Sequence, residues 1–278
     1  MNNMNVQKRP RGRPKSLSND ASGGIVQALE KGLIILRVLS KAGSVTLTDL
    51  SLQVGMPPSS AHRMLATLQK HGFVEFDEIG QHWRVGIEAF RIGSSYLERT
   101  NLVEASHIVM RDLMEKTGET ANLAIADVGD VVFISQVESH NPIRAFFRAG
   151  TRSAIHASGI GKVLMANMEQ TEIKKILQKT GLTEFTSKTL SSSHSLFNDL
   201  ELTRKRGWAF DNEERYSGMR CVAAPIYNSF GEAIAGISVS GPAVRFEDNR
   251  VVELGSIVMN AAKDVTKMIG GKMPNSDR

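Results

Sequence analysis

The sequence predicts an α+β protein, in which a small helical domain ending in a β-hairpin precedes a larger domain built on an antiparallel sheet. Two observations predict this class. Apolar residues recur at helical spacing from about residue 26 to residue 71, and beyond residue 120 short strand-like runs alternate with turns and helices. The chain has 278 residues, of which 41% are apolar and 23% charged, so one or two domains with sizeable cores are expected.

The composition excludes several classes of protein. Cys221 is the single cysteine, which rules out an intrachain disulfide and a cysteine-rich zinc site. We predict no catalytic residues, no cofactor and no metal. The sequence contains no run of roughly 20 apolar residues that could span a membrane, and its N-terminus lacks the apolar segment of a secretion signal. A cytoplasmic protein with no membrane partner is therefore expected.

The excess positive charge lies in the first 15 residues. The net charge is +5, and these residues carry five basic side chains and no acidic one, so the remainder has 29 basic and 29 acidic residues. Their run Pro10–Pro14 resembles an AT-hook, in which Arg11 and Arg13 would enter a narrow A·T minor groove. The alternative is a solubilising tail that touches phosphates without preference. We expect residues 1–23 to form a disordered arm.

Three helices are predicted after the arm. The first has an apolar face made of Val26, Leu29, Leu33 and Leu36, and it ends near Gly43. The second begins at a capping box, in which Thr46 is followed three residues later by Asp49. The turn 55–58 supplies a proline for the start of the third helix, which runs from about residue 59 to residue 71.

The third helix has one apolar and one polar face, and a hairpin follows it. Two strand-like runs, at 73–76 and 82–85, flank a turn at 77–81, which together with the helices predicts a winged helix-turn-helix over residues 24–87. The alternative is an ordinary small helical domain. Trp83 is expected in the core. The candidate DNA-contacting residues are Ser59, Ser60, His62, Arg63, Thr67, Lys70 and, on the wing, Arg84.

Residues 88–101 are predicted to form a linker helix, residues 102–270 the second domain, and residues 271–278 a flexible tail. The second domain is predicted to begin with the helix Leu102–Lys116. The predicted strands are Asn122–Ala126, Val131–Ser135, Ile143–Arg148, Arg220–Tyr227 and Ala233–Ser240, and the later helices are Gly159–Met168, Gln170–Lys179, His194–Arg206 and Asp248–Ile269.

From about residue 25 to residue 269 the chain resembles the IclR family of transcriptional regulators. The motifs that carry the resemblance are Ala28–Leu33, Ser59–Leu65, His156–Lys162, Val222–Ile226 and Ala235–Pro242, in this order. The resemblance implies a GAF-like effector-binding domain, a homodimer or dimer of dimers, and binding to a palindromic double-stranded operator of a metabolic operon. Such a protein would associate with the nucleoid when bound to DNA.

An effector site is expected around the motif 156–161. Its small residues stand where a loop enters a helix, so the free N–H groups and the helix dipole would favour a carboxylate. Ser238 and Ser240 alternate with Val239, which directs both hydroxyls to one side of a strand. The set that resembles the pocket of glyoxylate-responsive family members is Gly159, Ile160, Asp211, Cys221, Ser238 and Ser240.

Alternatives remain for these residues. The serine hydroxyls could bond to local backbone, and Asp211 could form a salt bridge with Arg215 or Arg220. For function, we expect a regulator that responds to a small carboxylic acid, with glyoxylate first and pyruvate second among 2-oxo acids. The rivals are a regulator of an aromatic acid, an enzyme using Cys221, His156 and Asp211, and an architectural DNA protein that uses only the arm.

Overall fold

The structure of this protein, a computed structural model, describes residues 25–98 and 102–274, with residues 94–98 described by their backbone alone. The predicted basic arm with Arg11 and Arg13, the last residues of the predicted linker and residues 275–278 of the predicted tail lie outside the described residues. The chain divides between residues 95 and 96 into two compact units, each with a hydrophobic core of its own.

The first unit combines helices with a small antiparallel sheet. Its helices are α1 (Gln27–Ala42), α2 (Leu47–Val54) and α3 (Pro58–Lys70), followed by α4 (Ile87–Glu98), which extends past the division between the units. Its strands are β1 (Ser44–Val45), β2 (Val74–Asp77) and β3 (His82–Val85), in the order β1-β3-β2. The winged helix-turn-helix is therefore confirmed, with the short strand β1 as an unpredicted third member of the wing sheet.

The helix boundaries follow the local signals. The Thr46 hydroxyl accepts the N–H of Asp49 at 3.2 Å and so caps α2. Gly55 ends α2 in the left-handed conformation at φ 64°, which costs glycine little, and Pro58 opens α3 where no backbone donor is needed. Because these signals are local, they position α3 independently of the rest of the chain.

The apolar stripe recognised from the sequence on α1 is not the main buried face of the helix, although Leu36 packs against the core. Ile35 and Leu39 are fully buried against a core that includes Leu50, Leu65 and Trp83, as expected for the tryptophan. The predicted stripe, by contrast, is largely open to solvent, and Leu29 is 63% exposed. Helix α1 carries apolar residues on two faces, and helical periodicity alone cannot tell which of them the domain buries.

The second unit is a six-stranded antiparallel sheet with helices on both faces. After α5 (Leu102–Thr117), the strands are β4 (Thr120–Asp127), β5 (Asp130–Val137), β6 (Arg152–Ala154), β7 (Ala209–Asn212), β8 (Met219–Tyr227) and β9 (Ala233–Pro242), in the order β6-β5-β4-β9-β8-β7. The remaining helices are α6 (Gly159–Ala166), α7 (Gln170–Thr180), α8 (Ser193–Arg206) and α9 (Asp248–Met268). The α+β class with an antiparallel sheet is confirmed.

The two faces of the sheet belong to separate apolar clusters. Helices α5 and α9 cover one face, where Met110, Val239 and Val258 are buried. Helix α6, backed by α8, covers the other face, where Ile160 and Ala223 are buried. None of the helices in the described part of the chain is long and apolar enough to cross a membrane.

The predicted strand Ile143–Arg148 is wrong, and β6 and β7 were not predicted. Residues 152–154 instead pair with β5. Within 143–148, Phe147 contacts the sheet through its side chain, since its ring stacks on Phe133 with centroids 4.5 Å apart, whereas Ile143 and Phe146 are exposed. Apolar character there reflects ring packing, which a short sequence run does not distinguish from strand pairing.

Candidate functional site

The polar face of α3 is open to solvent. All six residues predicted from the sequence as contacts on this helix are exposed: Ser59, Ser60, His62, Arg63, Thr67 and Lys70. The hydroxyl of Thr67 donates to the carbonyl of Arg63 at 2.9 Å, and the ring of His62 lies edge-on to Trp83. Neither Arg63 nor Lys70 forms an ion pair within the described part of the chain. Both cations are thus available to an external partner.

Arg84 differs from the cations of α3. It lies opposite Glu75 in the wing, and its Nε is 3.1 Å from Oε2 of that glutamate. Both side chains are largely exposed, with relative accessibilities of 58% and 44%. The pairing partly neutralises Arg84, so its attraction for phosphate is weaker than that of an unpaired arginine.

The second unit contains a small cavity between the sheet, the start of α6 and the segment that follows β7. About 20 Å³ is available to the centre of a water-sized sphere. The lining residues are Phe133, Phe147, Ser153, Ala157, Ser158, Ile160, Asp211, Arg215, Tyr216, Met219, Cys221, Ser238 and Ser240. The structure therefore brings five of the six predicted effector residues together. The exception is Gly159, where an added Cβ would lie 3.0 Å from the Cys221 sulfur.

The two serines of β9 have different surroundings. Oγ of Ser240 accepts Nδ2 of Asn122 at 3.2 Å, and Oδ1 of that asparagine accepts Nε2 of Gln136. Ser238 is 1% exposed, and its Oγ has no oxygen or nitrogen partner within the described residues. The alternative in which both hydroxyls bond to local backbone is therefore wrong. The Ser238 hydroxyl is free to form a hydrogen bond with a group in the cavity.

Cys221 is a neutral wall residue. Burial, with a smaller contribution from Asp211, raises the pKa of its thiol to about 12, although the hydroxyls of Ser240 and Ser238 oppose this shift. A thiol with so high a pKa holds almost no thiolate at neutral pH. Cys221 is therefore unsuited to nucleophilic attack.

The sequence analysis missed a buried lysine behind the cavity. Lys162 is fully buried, and its Nζ donates to Oε1 of Glu214 and to the carbonyl of Phe210, each at 2.5 Å. Oδ2 of Asp199 lies 3.0 Å from the same nitrogen. Burial lowers the pKa of Lys162, but Glu214, Asp199 and Asp211 together raise it above the ordinary value. The signal in the sequence that could have revealed this buried lysine was its position within the apolar run of α6.

Asp211 lies at the edge of this cluster and lines the cavity. Its Oδ1 accepts the N–H of Glu214 at 2.8 Å. Burial and the adjacent Glu214 raise the pKa of Asp211 to about 7, although Lys162 opposes them. The expected salt bridge to Arg215 or Arg220 is wrong, because Arg220 lies near Glu213 and neither arginine pairs with Asp211 in the described chain.

Arg215 is a second residue that the sequence analysis did not assign to the site. Its guanidinium stacks on Phe185, 3.7 Å from the ring centroid, and lies 5.3 Å from the ring centroid of Tyr216. Its Nε is buried without a hydrogen-bond partner in the described residues. A cation in the cavity wall with an unused donor can bind a carboxylate.

The start of α6 adds backbone donors to the cavity wall. The Ser158 hydroxyl accepts the N–H of Gly161 at 3.4 Å and caps the helix, whereas the N–H groups of residues 159 and 160 have no intrahelical acceptor. Gly161 is required because a Cβ there would lie 1.9 Å from the carbonyl oxygen of Ile155. Ser158 and Ile160 at this helix start line the cavity, so the positive end of the helix dipole lies beside it.

The residues of the enzyme hypothesis are not arranged for catalysis. Nε2 of His156 lies 3.0 Å from the carbonyl of Thr183, and its ring stacks on Phe185 outside the cavity lining. Burial lowers the pKa of His156, and Arg215 adds to this effect. His156 is held by its surroundings, and no described hydrogen bond joins it to Cys221 or Asp211.

Comparison with known proteins agrees with both units. Residues 28–78 match the IclR helix-turn-helix domain, and residues 94–267 match the family described as bacterial transcriptional regulator IclR C-terminal. The chain is 47% identical to the HTH-type transcriptional regulator BhcR of Paracoccus denitrificans over 95% of both proteins. It is 43% identical to the acetate operon repressor of Salmonella typhimurium, over 94% of this chain and 96% of that protein.

Solved structures show the same architecture. The IclR protein of Thermotoga maritima is similar with a TM-score of 0.74 at 29% identity, covering 88% of this chain and all of that one. An IclR homologue from Microbacterium hydrocarbonoxydans, solved in complex with 4-hydroxybenzoate, has a TM-score of 0.78 at 22% identity, covering 87% and 98%. These relatives are transcriptional regulators, not enzymes. On the matches in both halves, this chain belongs to the IclR family of DNA-binding transcriptional regulators.

Proposed function

We propose that this regulator controls a metabolic operon in response to a small 2-oxo acid, with glyoxylate as the first candidate and pyruvate as the second. The observation that carries the proposal is the small cavity with its convergent polar groups. Its free volume of about 20 Å³ compares with roughly 10–15 Å³ for one water. This is room for about one to two water-sized groups, so the volume favours the smallest acids.

The polar groups divide into two sets that match the two ends of such an acid. Arg215, with its free Nε, and the free N–H groups at the start of α6 suit a carboxylate. The hydroxyls of Ser238 and Ser240 and the carboxyl of Asp211 suit an oxo oxygen or its hydrate. Cys221 and Ile160 supply the apolar walls.

An aromatic acid is the rival effector. The relative solved with 4-hydroxybenzoate shares 22% of its sequence with this chain, so its ligand does not carry over by similarity. In this chain Phe133, Phe147 and Ile160 line a cavity of only about 20 Å³, and the two phenylalanine rings stack on each other. The cavity therefore favours the smaller acid.

For DNA binding, we propose that α3 reads the major groove through its exposed polar face, with Arg63 and Lys70 as the unpaired cations. Arg11 and Arg13 of the arm would grip the adjacent minor groove or phosphates. Arg84 contributes less because Glu75 partly neutralises it. The operator would be a palindrome read by two copies of α3.

The exposed apolar face of α1 supports a homodimer, alone or within a dimer of dimers. Three apolar residues of α1 and two that directly precede it line one groove and are all at least 37% exposed: Leu29, Leu33 and Ile34, with Ile25 and Val26. Exposed patches of this kind are typical of protein interfaces. We propose that two α1 helices pack there. Residues 24–87 would act as the DNA-binding domain, residues 88–101 as the linker and residues 102–270 as the effector domain. Binding of the effector would then shift the separation of the two α3 helices.

Calorimetric titration of the full-length protein with four acids tests the effector. Glyoxylate and pyruvate should bind saturably with one site per chain, whereas acetate, which lacks the oxo oxygen, should bind at least about tenfold more weakly. The same titration with 4-hydroxybenzoate distinguishes the rival. Tighter binding of the aromatic acid than of either 2-oxo acid would overturn the proposal, as would the absence of heat with both 2-oxo acids.

A further inference from the structure

The buried charges behind the cavity affect how a negatively charged effector can bind in it. Lys162 is the cation of this cluster, and three carboxyl groups lie around it, those of Asp199, Asp211 and Glu214. If all three were ionised, these buried carboxylates would exceed Lys162 by two negative charges, with Arg206 on α8 and Arg215 in the cavity wall as the nearest other cations. A carboxylate effector entering the adjacent cavity would add a third.

We infer that effector binding takes up one proton from solvent, held on the Asp211 carboxyl between the ligand and the Lys162 cluster. The inference rests on the proposed function, since it concerns the same site and a small carboxylate ligand. It makes the regulator responsive to the acid and a proton together, although the acid itself is already ionised at neutral pH.

Asp211 is the carboxyl placed to take the proton. Glu214 accepts directly from Nζ of Lys162 through Oε1, and Asp199 approaches the same nitrogen from α8, so both are held as partners of the cation. Asp211 accepts the N–H of Glu214 through Oδ1 and lines the cavity. Once protonated, it can donate a hydrogen bond to an effector oxygen instead of repelling it.

The charged and titratable groups around Asp211 come from every neighbouring element. They are Lys162 on α6, Asp199 on α8, Glu214 and Arg215 in the segment after β7, and Cys221 opposite on β8. Arg215 favours an ionised effector, and Cys221, whose thiol has a pKa of about 12, stays neutral through the neutral range. Because the pKa of Asp211 is about 7, its protonation changes most steeply near neutral pH.

Calorimetry with glyoxylate, and separately with pyruvate, tests the inference at about pH 6, 7, 8 and 9. If only the protonated form of Asp211 binds, the Kd should be nearly constant below neutrality and rise about tenfold per pH unit above it, on the order of 100-fold between pH 6 and pH 9. Titration at pH 8 in buffers with different ionisation enthalpies should count close to one proton taken up.

Three variants show whether Asp211 holds the proton. Asp211→Asn, which resembles the protonated acid, should bind with a Kd that does not vary with pH. Asp199→Asn removes a negative neighbour that raises the pKa of Asp211, so the pH midpoint should move to lower pH. Glu184→Gln, at an exposed site in the same unit, is the matched control and should keep the wild-type pH dependence.

The outcomes are distinct. Wild-type binding with a constant Kd and no proton uptake overturns the inference and leaves the proposed function standing. A steep pH dependence that persists in Asp211→Asn also overturns it, because another group would then hold the proton. Failure of both 2-oxo acids to bind at every pH overturns the proposed function, and the inference falls with it.

Discussion

At the scale of single residues, Ser238 and Ser240 are expected to differ in how much each contributes to folding and to ligand binding. Its hydroxyl is buried without an oxygen or nitrogen partner in the described chain, whereas that of Ser240 is engaged with Asn122. A buried hydroxyl without a partner does not stabilise the folded protein. We therefore expect Ser238 to form its hydrogen bond with a bound ligand. The two serines, two residues apart on one strand, should therefore respond differently to the same substitution.

Ser238→Ala should leave the free energy of unfolding within about 0.5 kcal/mol of wild type, because the hydroxyl has no oxygen or nitrogen partner to lose and only the Cys221 thiol beside it. Effector affinity should fall roughly tenfold, the effect of one hydrogen bond. Ser240→Ala should in addition cost about 1 kcal/mol of stability, since Asn122 Nδ2 loses an acceptor. Urea unfolding and calorimetry measure the two quantities.

The double variant of Ser238 and Ser240 should abolish the response to effector while operator binding persists. Ser191→Ala, at an exposed position, is the control and should change neither quantity. Effector-dependent operator binding that survives in the double variant would show that the site lies elsewhere.

At the scale of elements, α3 is positioned by signals on both sides of it. The Thr46 cap and the left-handed Gly55 fix α2, and Pro58 starts α3 directly after the turn. Burial of Ala61 and Leu65 then fixes the rotation of the helix and leaves its polar face outward. If α3 reads bases as proposed, the sequence that it recognises depends on its exposed side chains, of which Arg63 is the longest.

Arg63→Ala should weaken operator binding by about 1–3 kcal/mol and relax the choice of base at one position, if the guanidinium reads a base edge. Mobility-shift titrations of the operator and of a random duplex, at the same salt concentration, measure the effect. An equal decrease in affinity for both duplexes would make Arg63 a phosphate-binding residue and would contradict base recognition.

At the scale of the whole molecule, the exposed face of α1 and the basic arm both enter the proposal for how the protein binds DNA. Leu29 is 63% exposed in the protomer, so its apolar side chain contributes little to the fold of a single chain. Residues 1–15 carry the whole excess of positive charge. The first feature would pair two copies of the DNA-binding domain, and the second would strengthen contact with the polyanion.

Leu29→Glu should leave the fold of each chain intact and weaken operator binding, because a charge would have to be buried between the two α1 helices. Circular dichroism checks the fold, and operator titration with analytical ultracentrifugation checks the assembly. Leu202→Glu, at a position 56% exposed on α8, is the matched control. Unchanged operator affinity in Leu29→Glu would argue against pairing through α1.

Arg11→Ala combined with Arg13→Ala should weaken operator binding and reduce the slope of log K against log salt by roughly two, because two fewer phosphates would be neutralised by the protein. The slope is obtained from titrations over a range of salt concentrations. Reduced affinity confined to A·T-rich flanks would favour the minor groove. A slope equal to that of wild type would show that the arm does not bind DNA.

The sequence predicted what depends on local signals and failed where contacts are distant in the chain. Capping at Thr46, the turn at Gly55 and the hairpin around the wing were all readable, and the resemblance to a family identified most of the cavity. Lys162 was passed over because its partners Asp199 and Glu214 are 37 and 52 residues away. The stack of Phe147 on Phe133 and the choice between the two apolar faces of α1 likewise depend on tertiary contacts that no short run of sequence contains.

The packing of Ile160 against Gly236 suggests how this sensor could be retuned. A Cβ on Gly236 would lie 2.6 Å from Cγ2 of Ile160, so the glycine makes room for the isoleucine, which in turn fills one wall of the cavity. In the proposed site, size selection would depend on this apolar pair, whereas chemical selection would depend on Arg215, Asp211 and the serines. An engineer could shorten Ile160 to admit larger 2-oxo acids without altering a polar contact, which makes this position a starting point for a family of metabolite biosensors.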